Sequence, residues 1–252
     1  MMEKKKYNPL TGFIILCVIS VFLTPYISSC GKGGQATSVG LNVQLEVLNL
    51  SPNVHPVNLY MNYIKQSTTP YYYPTSSGYF YLNDIDTPLQ IRSAAAATTN
   101  LISIGNTGFA SNHKYTLFIT GQYSTDSISG QSVNTLTGVL TKDDTTATPN
   151  VGFGKIRFVN LAIPNTVFYI TANGTATKSF NSTQFDSVSK YVQIPVGNYI
   201  FQISPSSTPG SVLTTSLGTT TIQDGRLYTL YCYGIVGRTD TSAFNAGVLI
   251  NR

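Results

Sequence analysis

The sequence predicts an all-β fold: two tandem antiparallel β-sandwich domains that follow a cleaved leader. Three observations carry this expectation. The composition is that of a β-rich exported chain, with only 10% charged residues, 17 tyrosines and no tryptophan. Apolar and polar residues alternate over short runs, and no segment keeps a 3.6-residue period. The body of the chain is also written twice.

The leader comes first. Met1 to Lys6 supplies a basic start with Lys4, Lys5 and Lys6, and Phe13 to Leu23 forms an eleven-residue apolar run. Ile27-Ser28-Ser29 then places small residues ahead of Cys30. The apolar run is shorter than the roughly 20 residues needed to span a bilayer, so it reads as a removed signal. A cysteine at this junction resembles the acceptor of a bacterial lipoprotein signal peptide, because its thiol takes up diacylglycerol where a serine hydroxyl would not. Gly31 to Val39 is small and polar, which suits a tether. The expected organisation is a leader over 1–29, a lipidated Cys30 with its tether over 30–40, a first sandwich over 41–142, a linker over 143–152 and a second sandwich over 153–252.

The duplication is explicit. Gln44 to Asn62 aligns with Lys155 to Asn173, matching Asn49 with Asn160 and Leu50 with Leu161. Further on, Leu89-Gln90-Ile91 aligns with Phe201-Gln202-Ile203, Tyr115-Thr116-Leu117 with Tyr228-Thr229-Leu230, and Gly138-Val139-Leu140 with Gly247-Val248-Leu249. The offset drifts only across polar loops, as insertions in a duplicated domain require. Leu45, Val47, Ile156 and Phe158 take one face, Glu46 and Arg157 the other. Asn112 and Gly225 occupy equivalent turns, and both residue types tolerate positive φ. Six or seven short strands per copy, joined by sequential hairpins, predict an immunoglobulin-like sandwich. Ala94 to Ala97 reads as a loop.

Motifs in both copies carry a family resemblance. An opening strand ends in Asn-Leu, followed by Val57-Asn58-Leu59-Tyr60-Met61-Asn62, then Ile194-Pro195-Val196-Gly197-Asn198-Tyr199, then Leu227-Tyr228-Thr229-Leu230. This pattern resembles the domain-of-unknown-function family 4397. The resemblance spans nearly all of the chain after the leader and is more specific in the second copy. In the first, Asn83-Asp84-Ile85-Asp86 stands where the second has Pro195-Val196-Gly197-Asn198. It implies β-sandwich repeats in exported bacterial proteins without established chemistry, and the make-up is similar to lipoproteins of the Bacteroidota.

Little points to catalysis, and the chain is expected not to be an enzyme. His55 and His113 lie in turns of the first copy without counterparts in the second, and no nucleophile elbow, metalloprotease or phosphate-loop motif occurs. No metal or cofactor is expected, since Asp84, Asp86, Asp143 and Asp144 lack the spacing of a calcium loop and read as turn and linker punctuation. The five arginines are scattered, which argues against nucleic acid. Cys232 aligns with Ile119 and reads as a small core residue.

The excess lies in tyrosine. Tyr71, Tyr72, Tyr73, Tyr79 and Tyr81 crowd one segment, and alternation places at least one of three consecutive rings toward water. Exposed rings with polar tips make a candidate ligand-binding platform. Ser127, Thr145 and Ser187 follow aspartates in triplets that resemble O-glycosylation sites. The expected function is a cell-envelope protein held to the outer membrane by its N-terminal lipid, acting as a structural or adhesion-type module toward envelope proteins or polysaccharide. The alternatives are a glycan-binding surface lipoprotein that uses the tyrosines and a fimbrial subunit.

Overall fold

The computed structural model describes residues 42–124, 127–128, 131–132, 134–143, 148–163, 167–172, 175–204 and 217–251, which belong to one compact unit. Cys30, the leader and Thr145 lie outside the described residues. No helix occurs among the described residues, and Ala94 to Ala97 is loop.

The first half contains β1 (Gln44–Asn49), β2 (Val57–Met61), β3 (Ile64–Lys65), β4 (Thr75–Ser76), β5 (Phe80–Tyr81), β6 (Leu89–Ser93), β7 (Asn100–Ile104), β8 (Lys114–Thr120), β9 (Ser127–Ile128), β10 (Gln131–Ser132) and β11 (Thr137–Lys142). The second contains β12 (Phe153–Ile163), β13 (Phe168–Ala172), β14 (Thr175–Thr183), β15 (Ser187–Val188), β16 (Val192–Pro195), β17 (Gly197–Ser204), β18 (Thr219–Ile222), β19 (Leu227–Ile235) and β20 (Asn245–Ile250). In the first half, β11-β8-β1 with the edge strands β4 and β5 faces β3-β2-β6-β7. In the second, β20-β19-β12 with β15 and β16 faces β14-β13-β17-β18.

Several aligned segments hold equivalent ladder places. Leu45 pairs with Tyr115 as Ile156 pairs with Tyr228, and Leu59 pairs with Ile91 as Ile170 pairs with Ile203. The last strands do not keep the expected alignment: Gly138 pairs with Ile119, whereas Cys232, aligned with Ile119, pairs with Ala246 rather than Gly247. Another expectation is corrected: the sheets are not purely antiparallel, because β1 runs parallel to β8 and β12 parallel to β19. Parallel neighbours need a long crossover, and here the intervening chain builds the opposite sheet before returning.

Each half has its own apolar core. Leu45, Val47, Leu59, Ile91 and Leu117 fill the first, and Ile156, Phe158, Ile170, Ile203 and Leu230 the second. Cys232 is a free, buried thiol in the second core, and burial pushes it up to about 12. Ile119 takes the matching place in the first. Asn112 and Gly225 both have positive φ, at 62° and 71°. The Tyr115 hydroxyl accepts from the Ala110 N–H at 2.9 Å and donates to the Gly108 carbonyl at 3.3 Å. Tyr228 repeats this with the Gln223 N–H at 2.9 Å and the Thr221 carbonyl at 3.2 Å.

A third core joins the halves. Leu48, Leu50, Phe118 and Val139 pack with Val159, Leu161 and Tyr233. These are the residues that alternate with the internal cores along β1, β8, β11, β12 and β19, so the two central sheets are buried on both faces. Along β1 and β12 the polar Glu46 and Arg157 therefore share a buried face with Leu48 and Val159.

Candidate functional site

The tyrosine segment does not form one exposed platform. Tyr71 exchanges backbone hydrogen bonds with Val57 at 2.8 and 3.1 Å, which turns its ring into the first core. Burial pushes its phenol up to about 12. Tyr73 points the same way along the chain but reaches the second half: its ring meets Tyr233 edge-on at 6.2 Å, and its hydroxyl donates to the Thr241 carbonyl at 3.2 Å. Tyr72, between them, is 56% exposed, and Tyr81 is 62% exposed. Tyr79 is half-buried and leads into a polar network between the halves.

That network is centred on Arg157 of β12 and Asp143, which directly follows β11. The Arg157 guanidinium bonds the Asp143 carboxylate and the Thr141 hydroxyl (3.0 Å) through Nη2, the Lys142 carbonyl (2.9 Å) through Nη1 and the Thr229 hydroxyl (2.9 Å) through Nε. Its Cζ lies 4.9 Å from the centre of the Tyr191 ring. Asp143 accepts from the hydroxyls of Tyr79 (2.8 Å), Thr116 (2.7 Å) and Thr141 (2.9 Å). The Tyr191 hydroxyl donates to the Asp143 backbone carbonyl at 2.8 Å. Asn251 closes the ring of contacts, accepting from Thr229 at 2.6 Å and donating to the Tyr79 oxygen at 3.1 Å.

Tyr79 and Tyr191, and Thr116 and Thr229, are aligned in the sequence and hold paired places in this junction. Asp143 and Asn251 are paired by the ladders, as the residues that follow Lys142 opposite Tyr115 and Ile250 opposite Tyr228. Asp143 and Asn251 each donate a backbone N–H at 2.8 Å, to the carbonyls of Lys114 and Leu227 respectively. Burial raises the Asp143 carboxyl above the usual aspartate range, while Arg157 and the three hydroxyl donors pull it back. Tyr79 is raised by its own burial and by the neighbouring Asp143 charge, which keeps it neutral and donating. Glu46, on the same face of β1, is raised chiefly by burial, against a hydrogen bond from Ser76.

Asp143 is fully buried, which corrects its reading as linker punctuation. A carboxylate beside a partner guanidinium satisfies itself inside the junction, whereas linker punctuation faces water. Glu46 and Arg157 were legible as the polar face of their strands, and what covers that face was not. Asp84 accepts its own turn's Asp86 N–H at 2.8 Å, and Asp186 sits in a turn of the other half with φ 61°. Ser127 starts β9, and Ser187 is half-buried in β15, opposite Asn160. Among the described residues, no group of three or more His, Cys, Asp or Glu side chains is placed to hold a metal ion.

The family model described as Domain of unknown function (DUF4397) matches residues 43–169. The chain belongs to this family. The match covers the first half, the junction residues Asp143 and Arg157, and the opening of β13, whereas the resemblance read from the motifs extends through the second half. A search of curated proteins finds no match.

Proposed function

We propose that this DUF4397 protein is a lipid-anchored component of the bacterial envelope, in which two duplicated immunoglobulin-like sandwiches form one rigid, non-catalytic body for interaction or adhesion. The observation that carries this reading is the junction. Arg157 and Asp143 are buried to 4% and 0% exposure, and their charges are spent on each other and on neighbouring hydroxyls. Groups arranged this way hold two modules in a fixed relation, which a spacer or presenting protein needs.

The immunoglobulin-like assignment is supported by Tyr115 and Tyr228, whose hydroxyls bond back to the backbone five and seven residues upstream in the manner of a tyrosine corner. Duplication is supported by the shared ladder registers. The membrane end rests on Cys30 and its leader: two or more acyl chains, at about 0.8 kcal/mol per buried methylene, make attachment stable where a single chain binds only reversibly. The body would then stand off an outer membrane, its partners being envelope proteins or polysaccharide.

Metabolic labelling with an alkyne fatty acid tests the anchor in the native host. The expected result is label on the wild-type chain in the outer-membrane fraction, lost in Cys30→Ser, which shifts to the soluble fraction. Unlabelled wild-type chain in the cytoplasm would contradict the proposal.

A further inference from the structure

A cleft of about 520 Å³ opens on the first half, between the 66–71 segment that follows β3 and the edge strands β4 and β5. Its size falls in the range of about 300–1,000 Å³ typical of ligand sites. None of the twelve residues that line it is charged, and most carry hydroxyl or carboxamide groups.

Part of the wall is fixed. Ser67 donates to Asn58 Oδ1 at 3.2 Å and accepts from the Leu59 N–H at 3.2 Å, while Gln66 accepts from the Asn83 N–H at 3.4 Å. The exposed side chains of Thr68, Thr69 and Asn83 make no hydrogen bond to other described residues, so their donors and acceptors are directed to solvent. Tyr81 adds a ring that is 62% exposed.

The chemistry narrows the ligand. Hydroxyls and carboxamides both donate and accept, as the groups of a polyol require. An aromatic face beside them suits the C–H face of a pyranose ring. The lack of cations disfavours phosphate and uronate chains, and an apolar ligand would leave the threonine hydroxyls buried without partners, a loss of about 1–3 kcal/mol each on protein scales. We propose that this cleft binds a neutral glycan chain, with Tyr81 as the stacking ring and Thr68, Thr69 and Asn83 as its hydrogen-bonding groups.

The test is affinity electrophoresis and titration calorimetry of the full chain in detergent. The probes are the neutral polysaccharides dextran, mannan, xylan and β-glucan, with polygalacturonate and heparin as acidic comparisons. The expected result is saturable binding of at least one neutral polysaccharide, unchanged by added salt. Tyr81→Ala and Asn83→Ala should each weaken it by about tenfold, whereas Tyr72→Ala, an exposed tyrosine outside the cleft, should leave it unchanged. No neutral binding by folded protein, preference for the acidic chains, or equal loss in Tyr72→Ala would overturn the assignment. None of those outcomes touches the anchored-spacer reading, which the fatty-acid label tests separately.

Discussion

Arg157 and Asp143 form an ion pair that belongs to neither half alone: the guanidinium comes from β12 and the carboxylate from the residue after β11, both shut away from water. Removing one partner strands the other. Asp143→Ala should therefore destabilise by about 3–5 kcal/mol. Replacing the pair together, as Asp143→Leu with Arg157→Met, should cost clearly less than the two single changes added. Urea titrations of the three variants give the coupling directly.

The paired tyrosine hydroxyls make a second prediction. Tyr115→Phe leaves the Ala110 N–H without its acceptor, and Tyr228→Phe does the same to Gln223. Each should lose about 1–3 kcal/mol, because an unpaired backbone donor costs its desolvation. Amide exchange should accelerate at Ala110 in the first variant and at Gln223 in the second.

Gly121 and Gly234 close equivalent turns with φ of 84° and 82°. A Cβ at Gly121 would run into the Thr135 carbonyl, and one at Gly234 into that of Ala243. Alanine at either place combines left-handed strain of about 1–3 kcal/mol with a backbone collision. Both variants should show lower melting temperatures, whereas Gly78→Ala, with positive φ but open space, should carry the strain alone.

Stability should also depend on pH through Glu46. Burial raises its carboxyl above the ordinary 4.5, so the folded state binds more protons than the unfolded chain once pH exceeds that value. Stability then falls as pH rises through the window that starts there. Asp143 contributes with the same sign. Melting curves taken upward from pH 4.5 should show this slope, and Glu46→Gln should reduce it without abolishing it.

Parts of the fold were legible from single aligned positions. Asn112 and Gly225 announced their turns, and Cys232 declared its burial by aligning with Ile119. The parallel pairing of β1 with β8 was not legible, since a ladder's direction leaves no mark in alternation. The junction was hidden for a related reason. Glu46 and Arg157 alternate with apolar residues as solvent-facing positions do, and only the apolar Leu48, Leu50, Val159 and Leu161 on the same face hinted at a second buried surface. The tyrosines misled in part because Tyr71 and Tyr73 fill two different cores on either side of an exposed Tyr72, an arrangement fixed by the backbone pairing of Tyr71 with Val57.

The claim that two modules act as one body is tested most directly by differential scanning calorimetry of the full chain in detergent. A junction with its own apolar core and a buried ion pair predicts one unfolding transition for residues 42–251, with equal calorimetric and van't Hoff enthalpies. Two resolved transitions, with one half melting while the other stays folded, would contradict it.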